Sequence, residues 1–185
     1  LATKPGARLS TNSFSSDPIT RGAVSGFKNL EKFSEKKNPI LEKLIARERE
    51  ILLKLTHPFI IKLVKTFQTE NYVFYLMEHI NGCNLETYLN SRKLYWNKAE
   101  TQFYISVILL CLHYLNSKRI IHRDIKPSNI LINQAGYPVL IDFNCSREVK
   151  NIARTQAGTF HYTSPEMLKN RGYGMSIDYW SVGIV

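Results

Sequence analysis

Long apolar runs and paired cysteines are both missing from this chain of 185 residues. No apolar stretch approaches the about 20 residues that a membrane-spanning helix needs, so we expect no membrane span. The three cysteines, Cys83, Cys111 and Cys145, are widely spaced and form no CxxC pair. They therefore predict free thiols, no zinc site and a reducing compartment, the cytoplasm or, as the alternative, the nucleus.

Massed charge of one sign is missing as well. The chain has 25 Lys and Arg against 15 Asp and Glu, a formal net charge of +10. Because these charges are scattered, they predict a solvated surface; we expect no nucleic-acid partner, and attraction to nucleic acid or acidic substrates is the weaker alternative. With 44% apolar residues the chain can bury a core in one or two subdomains.

The segment on which the rest of the chain depends is 120–132, IIHRDIKPSNILI. Its polar residues Asp124, Lys126 and Asn129 stand between two apolar runs. A buried strand cannot hold such groups without partners, so we expect a loop that projects them into a polar site, with a solvated turn as the alternative. The turn that follows predicts a hairpin, which would return Asp142 to the side of Asp124. An amide and a carboxylate so placed suit Mg²⁺, which prefers oxygen ligands.

HRDIKPSN followed by DFN resembles the catalytic and metal-binding loops of eukaryotic protein kinases of the Ser/Thr type. The resemblance implies that Asp124 orients the attacking hydroxyl and that Lys126 contacts the γ-phosphate of ATP. It also implies that Asn129 and Asp142 hold magnesium. The implied cofactors are ATP and Mg²⁺, and the implied partners are protein substrates with Ser or Thr hydroxyls.

The same resemblance implies an α+β, two-lobed fold with a small β-rich N-lobe and a mainly helical C-lobe whose C-terminal helices are missing. We expect residues 1–21 to be a linker or a degraded start of the N-lobe, 22–80 to form the N-lobe and 81–185 a truncated C-lobe, so that the chain is a fragment. Asn144 stands where the family usually has Gly. With the segment 158–166 it resembles the AGC group, and DFN resembles the "yet another novel kinase" subfamily.

The nucleotide-binding residues are less sharply marked. Two registers of a glycine-rich loop stay open: 9–15 follows the family's rhythm with Ser or Asn in place of each Gly, and 18–26 matches letters better but leaves few residues for the next strands. Lys28 resembles the strand lysine that binds the α- and β-phosphates, with a surface lysine as the alternative. Glu48 is centred on the apolar face of a helix predicted over 38–55, and it matches the glutamate that pairs with that lysine. The alternative is a glutamate at the edge of this face that points to water.

Two strand-like runs, 60–67 and 72–77, lead into a segment that resembles the kinase hinge. There Met77 would be the gatekeeper, and backbone groups of Glu78 and Ile80 would hydrogen-bond adenine. The nucleotide would then lie between the two lobes.

Helices are predicted over 84–91 and 98–117, and the second is apolar on so many sides that we expect it to be buried at the centre of the C-lobe. One apolar stripe contains Phe103, Val107, Leu110 and Tyr114, and Ile108, Cys111, Leu112 and Leu115 widen it until little polar face remains. By position in the family, a hydrophobic stack between the lobes is expected from Leu52, Leu63, His122 and Phe143.

Residues 155–166 resemble the kinase activation segment. Thr155 aligns with the regulatory phosphorylation site, and a phosphate added there by an upstream kinase would pair with Arg123. A plain surface threonine is the alternative. Thr159 is expected to contact the catalytic loop, and Asp178 to anchor its backbone.

These motifs predict a protein serine/threonine kinase that transfers the γ-phosphate of Mg-ATP to Ser or Thr hydroxyls of proteins. The alternative is a pseudokinase or docking module with weak or no ATP turnover, which the thin match over residues 1–47 favours. The complete set of Asp124, Asn129 and Asp142 favours the enzyme, because a binding module has no physical need for all three.

Overall fold

The computed structural model describes residues 26–31, 39–69, 72–92, 97–150 and 152–185. The expected linker over 1–21, the first candidate phosphate loop and all but the last residue of the second lie outside the described residues. So does Asn38, the first residue of the predicted helix 38–55. The lobe boundaries expected from the sequence stay predictions.

Within the residues that the structure describes, the N-lobe contains an antiparallel sheet of three strands and one helix. Its elements are β1 (Gly26–Glu31), α1 (Pro39–Lys54), β2 (Leu63–Gln68) and β3 (Tyr72–Met77). The strands stand in the order β1-β3-β2, so β3 is central. Successive side chains of a strand point to opposite faces, and Val73, Tyr75 and Met77 are the buried set of β3.

The strand predicted over 60–67 is wrong at its start, because β2 begins at Leu63 and runs to Gln68. The preceding residues pair with the other lobe. Ile60 forms an isolated bridge with Leu140, and the backbone hydrogen bonds from Ile61 to Leu140 and from Leu140 to Phe59 measure 3.0 and 2.9 Å. The apolar run is therefore divided between two sheets, and it ties the lobes together.

The C-lobe carries four helices and two small sheets within the described residues. Its elements are β4 (Gly82–Asn84), α2 (Leu85–Arg92), α3 (Lys98–Ser117), β5 (Ile120–Ile121), β6 (Ile130–Asn133), β7 (Pro138–Leu140), β8 (Arg147–Glu148), α4 (Pro165–Leu168) and α5 (Ser176–Ile184). The sheet orders are β4-β6-β7 and β5-β8. Strands β6 and β7 form the hairpin expected from the sequence, with Gly136 at a φ of 85° in its turn.

Helix α3 has the predicted bounds, and its buried face differs in part from the predicted one. It begins in a capping box, in which the side chain of Asn97 accepts from the Glu100 amide and the Glu100 side chain accepts from the Asn97 amide. Phe103 and Leu110 are 41% and 55% exposed, so the predicted stripe is wrong at these two positions. A helix that is apolar on most sides carries little periodic signal, and its neighbours decide which face is buried. The buried residues are Tyr104, Val107, Ile108, Cys111, Leu112 and Leu115.

One hydrophobic core extends through both lobes. Leu52, Leu63 and Phe143, three members of the expected stack, are all buried in it. The ring of His122 is fully buried and packs edge-on against the ring of Phe143 at 4.8 Å between centroids. The predicted α+β, two-lobed fold is confirmed.

The cysteines are free thiols in this fold. The Cys111 Sγ donates to the carbonyl oxygen of Phe59 at 3.2 Å, and burial raises the pKa of this thiol to about 12. Cys111 is therefore a packing residue of α3. Among the described helices, none combines the length and apolar character that a bilayer crossing requires.

Two buried serines of the C-lobe lead to opposite stability predictions. The Ser164 Oγ has no hydrogen-bond partner within the part of the chain that the structure describes, whereas the Ser146 Oγ donates to the carbonyl oxygen of His122 at 3.3 Å. We expect Ser164→Ala to raise the free energy of unfolding by about 1 kcal/mol, because it removes a buried group without a partner. Ser146→Ala, the matched control, should lower it by about 1 kcal/mol.

The measurement is the melting temperature of each variant of the full-length protein, which should shift by a few degrees in opposite directions. A fall for Ser164→Ala equal to that for Ser146→Ala would contradict the prediction.

Candidate active site

A buried carboxylate fixes the backbone of the loop that begins after β5. Asp178 of α5 accepts the amide hydrogen of His122 at 2.7 Å and that of Arg123 at 2.8 Å, one with each oxygen. Arg123 has a φ of 69°, which a non-glycine residue adopts only where its surroundings impose it. Burial raises the pKa of Asp178, while the two amides act in the opposite direction. The structure thus places Asp178 against the loop, as expected from the sequence.

Three polar side chains converge on Asp124, which is 8% exposed. The Asn129 Nδ2 donates to the Asp124 Oδ2 and to its carbonyl oxygen, both at 2.9 Å. The Lys126 Nζ lies 2.9 Å from the same Oδ2. The Thr159 hydroxyl donates to the Asp124 Oδ1 at 2.7 Å and accepts from the Lys126 Nζ at 2.8 Å. These contacts hold the carboxylate in one orientation, in which it can accept a proton from a bound hydroxyl.

The hairpin of β6 and β7 returns the chain to this loop. The amide of Ile141 donates to the carbonyl oxygen of Asn129 at 3.0 Å, so Asp142 follows directly beside Asn129. Because the Asn129 nitrogen is engaged with Asp124, its side-chain oxygen is the atom left for a cation. An amide oxygen and a carboxylate are hard ligands, and together they fit Mg²⁺. This ion takes its remaining ligands from water molecules and from the phosphate oxygens of a substrate.

Gly158 lets the activation segment approach the loop closely. Its φ is 91°, and a Cβ built on it would stand 2.0 Å from the carbonyl oxygen of Arg123. Only glycine combines this conformation with this approach. The next residue is Thr159, which is how a hydroxyl from a distant part of the chain reaches Asp124.

Arg123 organises the other end of the activation segment. Its Nε donates to the carbonyl oxygen of Cys145 at 2.6 Å, and its Nη1 to the Thr155 Oγ1 and the Tyr173 hydroxyl, both at 2.9 Å. The Arg147 Nη1 also donates to the Thr155 Oγ1, at 3.2 Å. The structure therefore brings Thr155 and Arg123 together, as expected, and surrounds the threonine with two guanidinium groups.

Sequence reasoning missed Arg147 and Tyr173 in this pocket. Arg147 stands in the basic run after Asp142, so the signal for a second cation was present. Tyr173 has no local signal: an isolated β-bridge with Ala153 brings it in, and its hydroxyl donates to the carbonyl oxygen of Thr155.

The residues expected to bind ATP lie on β1, α1 and the segment that ends β3. Lys28 is paired with Tyr75 in the register of β1 and β3, while Glu48 is buried on α1. Met77 ends β3. The Glu78 amide donates to the carbonyl oxygen of Lys62 at 2.9 Å, so the backbone group that Glu78 can offer adenine is its carbonyl oxygen.

Ile80 continues this segment and packs against the core. The pairing of Lys28 with Glu48 and the roles of the site residues stay predictions.

This fold and this site define a protein of the kinase type. The chain belongs to the family described as "Protein kinase domain", which it matches over residues 19–185. The resemblance drawn from the HRD and DFN segments is thereby confirmed.

Curated relatives carry this domain in longer proteins. A cGMP-dependent protein kinase of Plasmodium berghei (strain Anka) is 41% identical over 141 residues, which cover 76% of this chain and 16% of the relative. The putative serine/threonine-protein kinase PRKY of Homo sapiens is 34% identical over 144 residues, 78% of this chain and 52% of the relative. The cAMP-dependent protein kinase catalytic subunit PRKX of Mus musculus is 35% identical over 144 residues, 78% of this chain and 40% of the relative.

The chain thus spans about half of the length of these relatives or less. Their names confirm the predicted resemblance to Ser/Thr kinases of the AGC group. The subfamily suggested by Asn144 stays a prediction.

The close approach at Gly158 can be tested by one methyl group. We expect Gly158→Ala to loosen residues 155–162, because the added Cβ meets the backbone of Arg123 and the positive φ is strained. Local opening should become easier by more than about 1 kcal/mol, which amide hydrogen exchange measures as an acceleration of more than about fivefold. Gly174→Ala is the matched control, since a Cβ there meets no heavy atom within 4 Å. Equal exchange in the two variants would show that the segment does not depend on Gly158.

Proposed function

We propose that the protein is a serine/threonine kinase that transfers the γ-phosphate of Mg-ATP to hydroxyl groups of protein substrates. The observation that carries this proposal is the set of contacts around Asp124, in which Lys126, Asn129 and Thr159 hold one carboxylate in place. A carboxylate restrained in this way is suited to orient a hydroxyl and accept its proton.

The proposed transfer exchanges one bond at the γ-phosphorus for another. The substrate oxygen forms a bond to the γ-phosphorus, the bond from that phosphorus to the oxygen shared with the β-phosphate breaks, and ADP leaves. Asp124 takes the hydroxyl proton, and Lys126 is placed to neutralise charge on the transferred group. Asn129 and Asp142 would hold Mg²⁺, which would neutralise charge on the phosphates when bound.

The remaining predicted residues bind the nucleotide in this proposal. Lys28, paired with Glu48, contacts the α- and β-phosphates, and the backbone of Glu78 and Ile80 contacts adenine beside Met77. Three free thiols suit a reducing compartment, and we place the enzyme in the cytoplasm or the nucleus.

Regulation at Thr155 is the second part of the proposal. Its Oγ1 already lies within hydrogen-bond distance of Arg123 and Arg147. Burial lowers the pKa of Arg47 on α1, and the positive charges of Arg147 and Arg123 lower it further. A third guanidinium is therefore close enough to be repelled by these two. A phosphate on Thr155, added by an upstream kinase, would relieve this repulsion and bind the pocket.

The first test compares Asp124→Asn with the unchanged full-length protein. We expect turnover with a mixed Ser/Thr peptide library to fall by roughly 10² to 10⁴, because the amide cannot accept the proton, while Mg-ATP still binds. Labelled phosphate transfer and a thermal shift with MgATP measure the two separately. Glu86→Gln on the exposed face of α2 is the matched control and should leave both unchanged.

No transfer by the unchanged protein, even with phosphate on Thr155, would overturn the proposal in favour of the pseudokinase. Equal loss of turnover and of ATP binding in Asp124→Asn would contradict the role given to Asp124.

The second test installs phosphothreonine at position 155. We expect the phosphorylated protein to melt several degrees higher and to turn over several-fold faster, since charge-assisted hydrogen bonds to Arg123 and Arg147 order the segment. Arg147→Ala should remove most of the stabilisation gained on phosphorylation. Arg154→Ala, an exposed neighbour of Thr155, is the control that should retain it. Equal effects of the two variants would contradict the pocket.

A further inference from the structure

A buried tyrosine connects the N-lobe sheet to helix α1. Tyr75 is 0% exposed, and its hydroxyl donates to the carbonyl oxygen of Ile45 at 2.6 Å. Burial raises the pKa of this hydroxyl well above its ordinary value, so it remains a neutral donor. A hydroxyl buried without a partner would be unfavourable, so the position of α1 and the position of Tyr75 depend on each other.

The connection is made at the turn of α1 that carries Glu48. Ile45 precedes Glu48 by three residues, and residues at this spacing lie on the same face of a helix. Glu48 is 3% exposed and close enough to Tyr75 for its charge to act on the tyrosine's pKa. The hydroxyl therefore holds the helix at the place where the buried carboxylate is presented to the sheet.

Tyr75 is also the β3 residue paired with Lys28 in the sheet register. Tyr75 thus contacts the helix turn through its hydroxyl and is the register partner of Lys28, and the proposed function joins this strand residue and this turn by an ion pair. Two other polar contacts of α1 lie at the surface. The Arg49 Nε donates to the Thr66 Oγ1 at 3.1 Å, and the Lys54 Nζ meets the Glu148 Oε2 at 2.5 Å with both side chains about half exposed. Exposed pairs of this kind contribute little, whereas a buried hydrogen bond is not screened by solvent.

We propose that Tyr75 is a positioning residue whose hydroxyl holds α1 where Glu48 can pair with Lys28 and so orient the phosphates of ATP. This inference rests on the proposed function. It means that the central strand β3 restrains α1 directly, without any contact to the activation segment. The aromatic ring packs in the core with or without its hydroxyl, so the oxygen can be removed without emptying the site.

The experiment uses Tyr75→Phe in the full-length protein, with Tyr137→Phe as the matched control. Tyr137 is 42% exposed on the hairpin side of the molecule, and its ring stacks on Phe59. We expect Tyr75→Phe to lower kcat by about fivefold, the factor associated with one net hydrogen bond, and to raise the KM for ATP while leaving the KM for the peptide unchanged. Tyr137→Phe should change none of the three.

A double-mutant cycle with Glu48→Gln separates positioning from general weakening of the lobe. If Tyr75 acts through Glu48, the fivefold loss disappears in the Glu48→Gln background. The same loss in both backgrounds, or an unchanged kcat in Tyr75→Phe, overturns the inference.

Amide hydrogen exchange gives a readout that does not require activity. Exchange over residues 45–49 should become faster in Tyr75→Phe and stay unchanged in Tyr137→Phe. If the unchanged protein transfers no phosphate, the proposed function fails, and exchange alone decides whether Tyr75 holds α1. Unchanged exchange in Tyr75→Phe overturns the inference in that case too.

Discussion

Two hydrogen bonds from backbone amides to the buried carboxylate of Asp178 determine where the catalytic loop can lie. They hold Arg123 in a left-handed conformation, and such a turn persists only when its amides are satisfied. From this turn the chain sends two side chains in different directions. Arg123 reaches the activation segment around Thr155, and Asp124 faces the polar site. One helix residue thus supports both the proposed chemistry and its proposed regulation.

The activation segment meets the loop through contacts that leave little freedom. Gly158 brings its backbone against Arg123, and Thr159 then reaches Asp124 and Lys126. Thr155 meets the same loop through the Arg123 side chain, so both ends of this segment contact neighbouring loop residues. The N-lobe is connected to the C-lobe by the residues before β2 that pair with Leu140. Within the N-lobe, the buried turn of α1 is hydrogen-bonded to Tyr75.

Many of the candidate site residues could be named from short sequence motifs. Asp124, Lys126 and Asn129 stand within one short motif, and the hairpin predicted after them returns the chain so that Asp142 follows near Asn129. Thr159 and Asp178 were expected from the resemblance to kinases. The inward face of α3 was predicted only in part, because apolar residues on most sides of a helix leave the choice of face to its neighbours. The start of β2 was misplaced because one apolar run serves two sheets.

The sequence by itself determined the order of the elements, the polar loop between apolar runs and the residue types available for phosphate transfer. These follow from short-range patterns: alternation along strands, spacing along helices and the cost of burying charge. Only the tertiary structure decided that Arg147 and Tyr173 surround Thr155 and that Tyr75 reaches Ile45. Tyr75 and Ile45, like Tyr173 and Thr155, are far apart in the chain, and no local pattern specifies which distant partner will satisfy a buried hydroxyl. Arg147 stands only eight residues before Thr155, but the fold alone decides that these two side chains meet.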